Sequence, residues 1–148
     1  MGLVSAIQGN RVYLDTNVFI YALEGFPPLD TELQDLFKAV GRGDFEGWTS
    51  ELTLAEALVK PLKDGNTALI SAYDTTLQDR PYFHLLAITR AILREAAHLR
   101  GATSLKLPDA IHLATAEQAG CTTFVTNDTD FKGATSMKVV VLSELVTP

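Results

Sequence analysis

The stretch Val12-Tyr13-Leu14-Asp15-Thr16-Asn17-Val18 joins a β-branched and aromatic run to an acid and then to a segment with helical character. Residues 11–14 are typical of a short buried strand, and Asp15 stands directly at its end. Residues 17–23 predict a short helix that ends near Gly25. A strand, an acid and a helix in this order indicate the first unit of an α/β fold.

Strand and helix patterns continue to alternate along the rest of the chain. Further strands are predicted over residues 45–49, 82–88, 122–126 and 138–142, and further helices over residues 29–40, 51–60, 66–77, 89–100 and 108–119. Three of these helices are predicted to end at Gly41, Pro61 and Gly101. The alternation predicts an α/β protein with a five-stranded, mainly parallel sheet between helices, in three layers.

The composition is that of one folded domain. The chain has 148 residues, of which 47% are hydrophobic and 20% charged. The aliphatic run at residues 139–142 is far shorter than the ~20 residues that span a bilayer, and no basic segment precedes the apolar residues at the N-terminus. Cys121 is the only cysteine, so a reducing compartment is allowed. We therefore expect a cytoplasmic protein that does not enter a membrane.

The net charge of −6 restricts how the chain could bind nucleic acid. Affinity for the phosphate backbone comes mostly from Lys and Arg, so an acidic chain is a poor general nucleic-acid binder. Two divalent cations held by acids would add four positive charges and bring −6 to −2, at the place where a phosphate would bind. Charge alone leaves both a protein that avoids nucleic acid and one that holds it through metal.

Two acids follow predicted strands directly. Asp15 comes after the first strand and Asp128 after the fourth. In an open parallel sheet, ligands bind beyond the carboxyl ends of the strands, at the point where the strand order reverses. Either acid alone could equally be a helix cap or part of a turn.

Two further acids lie on predicted apolar helix faces. Glu56 shares its face with Leu52 and Val59, and Asp109 lies on an apolar stripe of its own helix. The helix dipole favours an acid in a first turn, which explains where Asp109 stands along the helix but not the side to which it points. Carboxylates that point inward are usually paired or bound to a metal.

The predicted ligand set consists of carboxylates without a matching group of Cys or His. Such a set suits Mg²⁺ or Mn²⁺ rather than zinc. His112 lies one helical turn from Asp109, but we interpret it as a packing or surface residue rather than a ligand. Clustered acids of this kind point to metal-assisted phosphate chemistry.

Four segments together resemble the PIN-domain family, most closely the VapC toxins of bacterial and archaeal toxin–antitoxin pairs. They are Val12-Tyr13-Leu14-Asp15-Thr16-Asn17-Val18, Leu54-Ala55-Glu56-Ala57, Leu107-Pro108-Asp109-Ala110-Ile111-His112-Leu113-Ala114-Thr115-Ala116 and Phe124-Val125-Thr126-Asn127-Asp128-Thr129-Asp130-Phe131. The segments occur in the family's order, and the resemblance extends over residues 11–142, nearly the whole chain.

The resemblance implies a five-stranded parallel sheet between helices and an endoribonuclease that depends on Mg²⁺ or Mn²⁺. The catalytic and metal-binding acids that it implies are Asp15, Glu56, Asp109 and Asp128, with Asp130 as a secondary metal ligand and with Asn17 and Thr126 as hydrogen-bonding supports. It also implies an RNA substrate, a cognate antitoxin and a homodimer. A nuclease of RNA processing or decay without a toxin role, and a PIN fold that only binds a partner, remain open.

The resemblance also divides the chain. Residues 11–148 form the PIN-like nuclease domain, and residues 1–10 form an N-terminal extension, because the family usually starts almost at the first strand. The extension could be an artefact of the start site or an added contact, and the sequence does not decide between them.

Overall fold

The central sheet has five strands in the order β3-β2-β1-β4-β5 in the computed structural model, which describes residues 2–146. The strands are β1 (Arg11–Leu14), β2 (Glu46–Ser50), β3 (Phe83–Leu86), β4 (Thr123–Thr126) and β5 (Lys138–Val141). All four strand pairings are parallel, and Tyr13 of β1 lies opposite both Trp48 and Phe124. The predicted five-stranded parallel sheet is therefore confirmed.

Helices cover both faces of the sheet. They are α1 (Leu3–Ala6), α2 (Thr16–Glu24), α3 (Asp30–Arg42), α4 (Glu51–Asp64), α5 (Thr67–Thr76), α6 (Arg90–Ala102) and α7 (Leu107–Gln118), with 3₁₀ turns at Pro27–Leu29, Thr129–Phe131 and Leu142–Leu145. Val12 and Leu14 point into a core with α1–α5, whereas Tyr13 points into a second core with α6 and α7. This alternation along β1 produces the predicted three-layer arrangement.

The strand order reverses between β1 and β4. The chain runs from β1 through β2 to β3 with α2–α5 on one face, and then returns across the other face through α6 and α7 to β4. The connections that leave β1 and β4 therefore diverge at the carboxyl ends of these neighbouring strands. Such a point leaves a crevice in which α/β proteins bind their ligands.

The predictions that helices end at Gly41 and Gly101 were wrong, because both glycines lie inside helices. α3 continues to Arg42 and ends at Gly43, which has a left-handed φ of 84° and donates its N–H to Val40 O. α6 continues to Ala102 and is closed by Thr103, whose backbone N–H and hydroxyl both donate to Leu99 O. A glycine lowers helix propensity without stopping a helix, so the true ends lie where a cap is available.

The prediction that Pro61 stops α4 was also wrong. Pro61 is buried inside the helix, which continues to Asp64 and ends at Gly65 with a left-handed φ of 65°. Proline removes one helical hydrogen bond. The buried ring and the capped last turn offset that loss, since Gly65 N–H bonds Leu62 O and Asn66 N–H bonds Pro61 O.

The N-terminal segment packs against the domain. Leu3 is fully buried, and its backbone N–H donates to Glu32 of α3. Gln8 N–H donates to Thr123 Oγ1 at 2.9 Å, and Thr122 Oγ1 donates to Gln8 O at 2.7 Å. Residues 2–10 therefore contact α3 and the start of β4, at the end of the sheet opposite the carboxyl ends of the strands.

Among residues 2–146, none of the helices combines the length and the apolar character needed to cross a bilayer.

Candidate functional site

Asp15 follows β1 and caps α2 at the point where the strand order reverses. Its Oδ1 accepts the N–H of Thr16 at 2.8 Å, and its Oδ2 accepts the hydroxyl of Thr126 at 2.7 Å. The side-chain amide of Asn17 lies 3.5 Å from the same Oδ2. With 5% of its surface exposed, Asp15 is held in a fixed orientation between β1 and β4.

Glu56 lies on α4, on a face that differs from the expected one. The face shared with Leu52 and Val59 is not buried, since Val59 is 57% exposed, and α4 packs through the small residues Thr53 and Ala57. Small side chains let the helix approach the sheet closely, which leaves Glu56 beside the carboxyl ends of the strands. The reason given for Glu56 from its spacing was therefore wrong, although the residue lies at the candidate site.

Two hydrogen bonds hold Oε1 of Glu56. The Thr16 hydroxyl donates to it at 2.7 Å, and His112 Nε2 donates to it at 2.6 Å. Burial would raise the pKa of Glu56, but the hydrogen bond and charge of His112 together with the Thr16 hydrogen bond lower it on balance. Glu56 is therefore an ionised acceptor at neutral pH.

His112 lies inside the acidic cluster. It is 1% exposed; its Nδ1 lies 2.7 Å from the Tyr13 hydroxyl, and its Nε2 lies 3.7 Å from Asp15 Oδ1. Burial would lower the pKa of His112, but the hydrogen bond to Glu56 and the charges of Asp15, Glu56 and Asp109 raise it overall. The interpretation as a packing residue missed the contact with Glu56. The one available signal was its position one turn from Asp109, on the same helix face.

Asp109 lies half-buried in the first turn of α7. Its pKa is raised to about 6, because burial disfavours the charged form and because Asp15, Asp128 and Glu56 repel it, while His112 acts in the opposite direction. The fold therefore brings four acids from four separate elements into one electrostatic cluster.

Asp128 follows β4, in the turn that Thr126 and Asn17 organise. Asp128 N–H donates to Thr126 Oγ1 at 3.1 Å, and Asn127 N–H donates to Asn17 Oδ1 at 3.1 Å. Asp130 is exposed and contacts Asp128 through its backbone N–H, which donates to Asp128 Oδ1 at 2.8 Å. Thr126 thus bonds to both strand-end acids, whereas the side chain of Asp130 lies at the exposed rim.

The donor set fits a hard divalent cation in chemistry and charge. Carboxylate oxygens are the ligands that Mg²⁺ and Mn²⁺ prefer, and a cation would relieve the repulsion at Asp109. In the present side-chain positions, no group of three or more His, Cys, Asp or Glu side chains within residues 2–146 is arranged to hold an ion. Thr126 and the N–H of Thr16 hold both oxygens of Asp15, whereas His112 and the Thr16 hydroxyl hold only Oε1 of Glu56, so binding of an ion would require some of the acids to move.

Comparison with known proteins identifies the fold family. The PIN domain family model matches residues 12–135. No protein with curated annotation matches the chain at a significant level. Among solved structures, a chain of a toxin–antitoxin complex from Klebsiella pneumoniae is 26% identical with a TM-score of 0.66, and the match covers 88% of this chain and 96% of that one.

Two more distant structures share the fold. VapBC2 from Rickettsia felis, bound to a DNA fragment from its promoter, is 18% identical with a TM-score of 0.69 and with coverage of 88% of this chain and 98% of that one. VapC20 from Mycobacterium tuberculosis, a Sarcin-Ricin loop cleaving toxin, is 14% identical with a TM-score of 0.67 and with coverage of 83% and 94%. The family model spans most of the chain, and these structures share its sheet and helices. The chain belongs to the PIN domain family.

Proposed function

We propose that the chain is an endoribonuclease that hydrolyses RNA phosphodiester bonds with Mg²⁺ or Mn²⁺ held by Asp15, Glu56, Asp109 and Asp128. The observation that carries this proposal is the position of Asp109 in a PIN fold, next to the other three acids. Burial and the charges of these acids raise the pKa of Asp109. A half-buried carboxylate that three others repel destabilises the folded protein when it is charged, unless a cation joins the group. Such clusters are retained for function.

Hydrogen bonds within the chain orient the acids that would bind a cation. Thr126 orients Asp15 and the backbone of Asp128, and Asn17 supports the same turn. Asp130, at the rim, is a secondary ligand. A bound Mg²⁺ or Mn²⁺ would polarise the phosphodiester and activate the attacking water.

We further infer that the protein is the toxin of a type II toxin–antitoxin pair and acts in the cytoplasm as a homodimer. The similarity to a chain of a toxin–antitoxin complex supports a protein antitoxin as its partner. The cluster of acids favours an antitoxin segment with a basic side chain, most plausibly Arg, that enters the cleft and competes with metal.

The chemical ends of the products test the reaction. Metal-free ribonucleases typically use a pair of His side chains and leave a 2′,3′-cyclic phosphate, but only His112 lies at this site. Water that attacks opposite the leaving oxygen should leave a 5′-phosphate and a 3′-hydroxyl. We expect end-labelled RNA fragments to be substrates for a ligase that requires a 5′-phosphate. Cyclic-phosphate ends formed by homogeneous protein in EDTA would contradict the proposal.

A matched pair of Asp→Asn substitutions ties the activity to the site. Asp15→Asn is expected to reduce cleavage on the order of 10²-fold or more, because it removes a charge from the ligand set. Asp44→Asn is the control, since Asp44 is exposed, pairs with Arg42 and precedes β2 at the opposite edge of the sheet. Equal activity of the two variants would show that the site is misassigned.

A further inference from the structure

His112 connects two helices that lie on opposite faces of the sheet. The ring belongs to α7, its Nε2 contacts Glu56 of α4, and its Nδ1 contacts Tyr13 of β1. Both ring nitrogens of a buried imidazole need partners, and at His112 one of these partners is a carboxylate of the candidate metal site. We propose that His112 is a positioning residue that, with Thr16, holds Oε1 of Glu56 so that Oε2 stays free for the divalent cation, an inference that rests on the proposed metal-dependent activity.

The direction of the bond to Glu56 is fixed by chemistry. An ionised carboxylate only accepts hydrogen bonds, so Nε2 of His112 carries the proton in the 2.6 Å contact. This holds whether the ring is neutral, with Tyr13 donating to Nδ1, or charged, with Nδ1 donating to Tyr13. The positioning role therefore does not depend on titration of the ring.

The sheet sets the orientation of the ring. Tyr13 is fully buried and stacks on Phe124, with the ring centroids 5.0 Å apart and the planes 10° from parallel. Its hydroxyl lies 2.7 Å from Nδ1 of His112. Contacts thus connect Phe124 of β4 to Tyr13 of β1, and the Tyr13 hydroxyl to the imidazole that bonds Glu56.

Holding Oε1 leaves the other oxygen of Glu56 available. Oε1 accepts from both His112 and Thr16, whereas Oε2 has no hydrogen bond with any side chain or backbone group of residues 2–146. The Glu56 side chain is 34% exposed, so a cation in the cleft could reach it. A glutamate on a helix surface samples many rotamers, and a carboxylate that is already oriented loses less entropy when it binds an ion.

The test measures Mn²⁺ binding to the purified full chain by calorimetry or electron paramagnetic resonance. His112→Gln retains an amide donor at about the position of Nε2, whereas the shorter His112→Asn and the apolar His112→Leu cannot donate to Glu56. We expect His112→Asn and His112→Leu to weaken Mn²⁺ binding on the order of tenfold and His112→Gln to retain most of the affinity. Excess Mn²⁺ should restore kcat in the weakened variants while the KM for RNA stays unchanged.

Thr115→Val is the matched control on the same helix. Thr115 is fully buried, and within residues 2–146 its hydroxyl bonds only to Ile111 O, so its substitution perturbs α7 without touching Glu56. We expect wild-type Mn²⁺ affinity for this variant. In a Glu56→Gln background, where the held carboxylate is gone, His112→Asn should cause no further loss of Mn²⁺ affinity.

Two results would overturn the proposal, and they can be told apart. Equal Mn²⁺ affinities for folded His112→Gln and His112→Asn, in a wild-type protein that binds Mn²⁺ and cleaves RNA, would remove the positioning role alone. If His112→Leu does not fold, this comparison of two amides still decides the question. Failure of the wild-type protein to bind Mn²⁺ would overturn both this inference and the proposed metal-dependent activity.

Discussion

At the scale of single residues, Asp109 connects the site to the stability of the fold. Its folded-state pKa of about 6 lies above the ordinary value of 3.8, so the folded protein binds this proton more tightly than the unfolded chain does. The resulting stabilisation is fully present below the unfolded pKa and is lost as the pH rises through about 6. Above that pH, a charged Asp109 destabilises the metal-free protein.

Asp109→Asn should therefore stabilise the protein in EDTA at pH 7.5 and have much less effect at pH 4.5. Asparagine resembles the protonated acid, so the variant loses the repulsion and keeps the shape. Urea unfolding at the two pH values measures the difference, with the exposed Asp44→Asn as the control that should show no gain. An identical change in the free energy of unfolding at both pH values would contradict the electrostatic origin of the shift.

The sequence proposed four acids, which the fold brings together, but it did not describe how they are held. Asp15 and Asp128 stand at strand ends, and Asp109 lies four residues from both buried Leu105 and buried Leu113, so local patterns were informative. The contact between Glu56 and His112 depends on α4 and α7 meeting beyond the sheet, 56 residues apart in the chain. No local spacing contains that information.

At the scale of elements, two glycines with left-handed backbones allow the contribution of the N-terminal contact to the stability of the fold to be measured. Gly9 has a φ of 71°, and a Cβ there would lie 2.8 Å from Thr122 Cβ. Gly65 has a φ of 65° and has open space around the same position. Thr122 Oγ1 bonds to the carbonyls of Gln8 and Arg11, so it cannot move without breaking these bonds.

Gly65→Ala should cost about 1–2 kcal/mol, the usual penalty for an L-residue in this conformation. Gly9→Ala should cost more, because the displaced Thr122 also loses its contacts with the N-terminal segment. Chemical denaturation of the two variants compares the free energies of unfolding. Equal losses would mean that the contact of residues 2–10 with β4 contributes little to stability.

The elements themselves followed from short apolar runs, but their ends did not. The five strands lie within two residues of the predicted bounds at each end, because β-branched and aromatic runs mark buried strands. Pro61 was expected to stop α4, but the ring is buried and Gly65 provides a cap four residues later. α1 was not predicted, since its four residues are a helix only in contact with α3.

At the scale of the whole molecule, the proposed toxin role predicts an effect on growth. Strong expression of the chain alone in a bacterial host should arrest growth, and co-expression of the protein from the neighbouring gene should restore it. Asp15→Asn should allow growth at equal protein levels. Unimpaired growth with a protein that cleaves RNA in vitro would favour a nuclease of RNA processing or decay.

The strand order also determines when a newly made chain can become active. β1 lies at the centre of the sheet, and its neighbour β4 is synthesised only after β2 and β3. Asp15 and Asp128 are 113 residues apart (128 − 15), which a ribosome needs roughly 6 to 23 seconds to translate at 5–20 residues per second. If the proposed function holds, a nascent polypeptide without Asp128 has an incomplete site and should not cleave the messenger from which it is being translated.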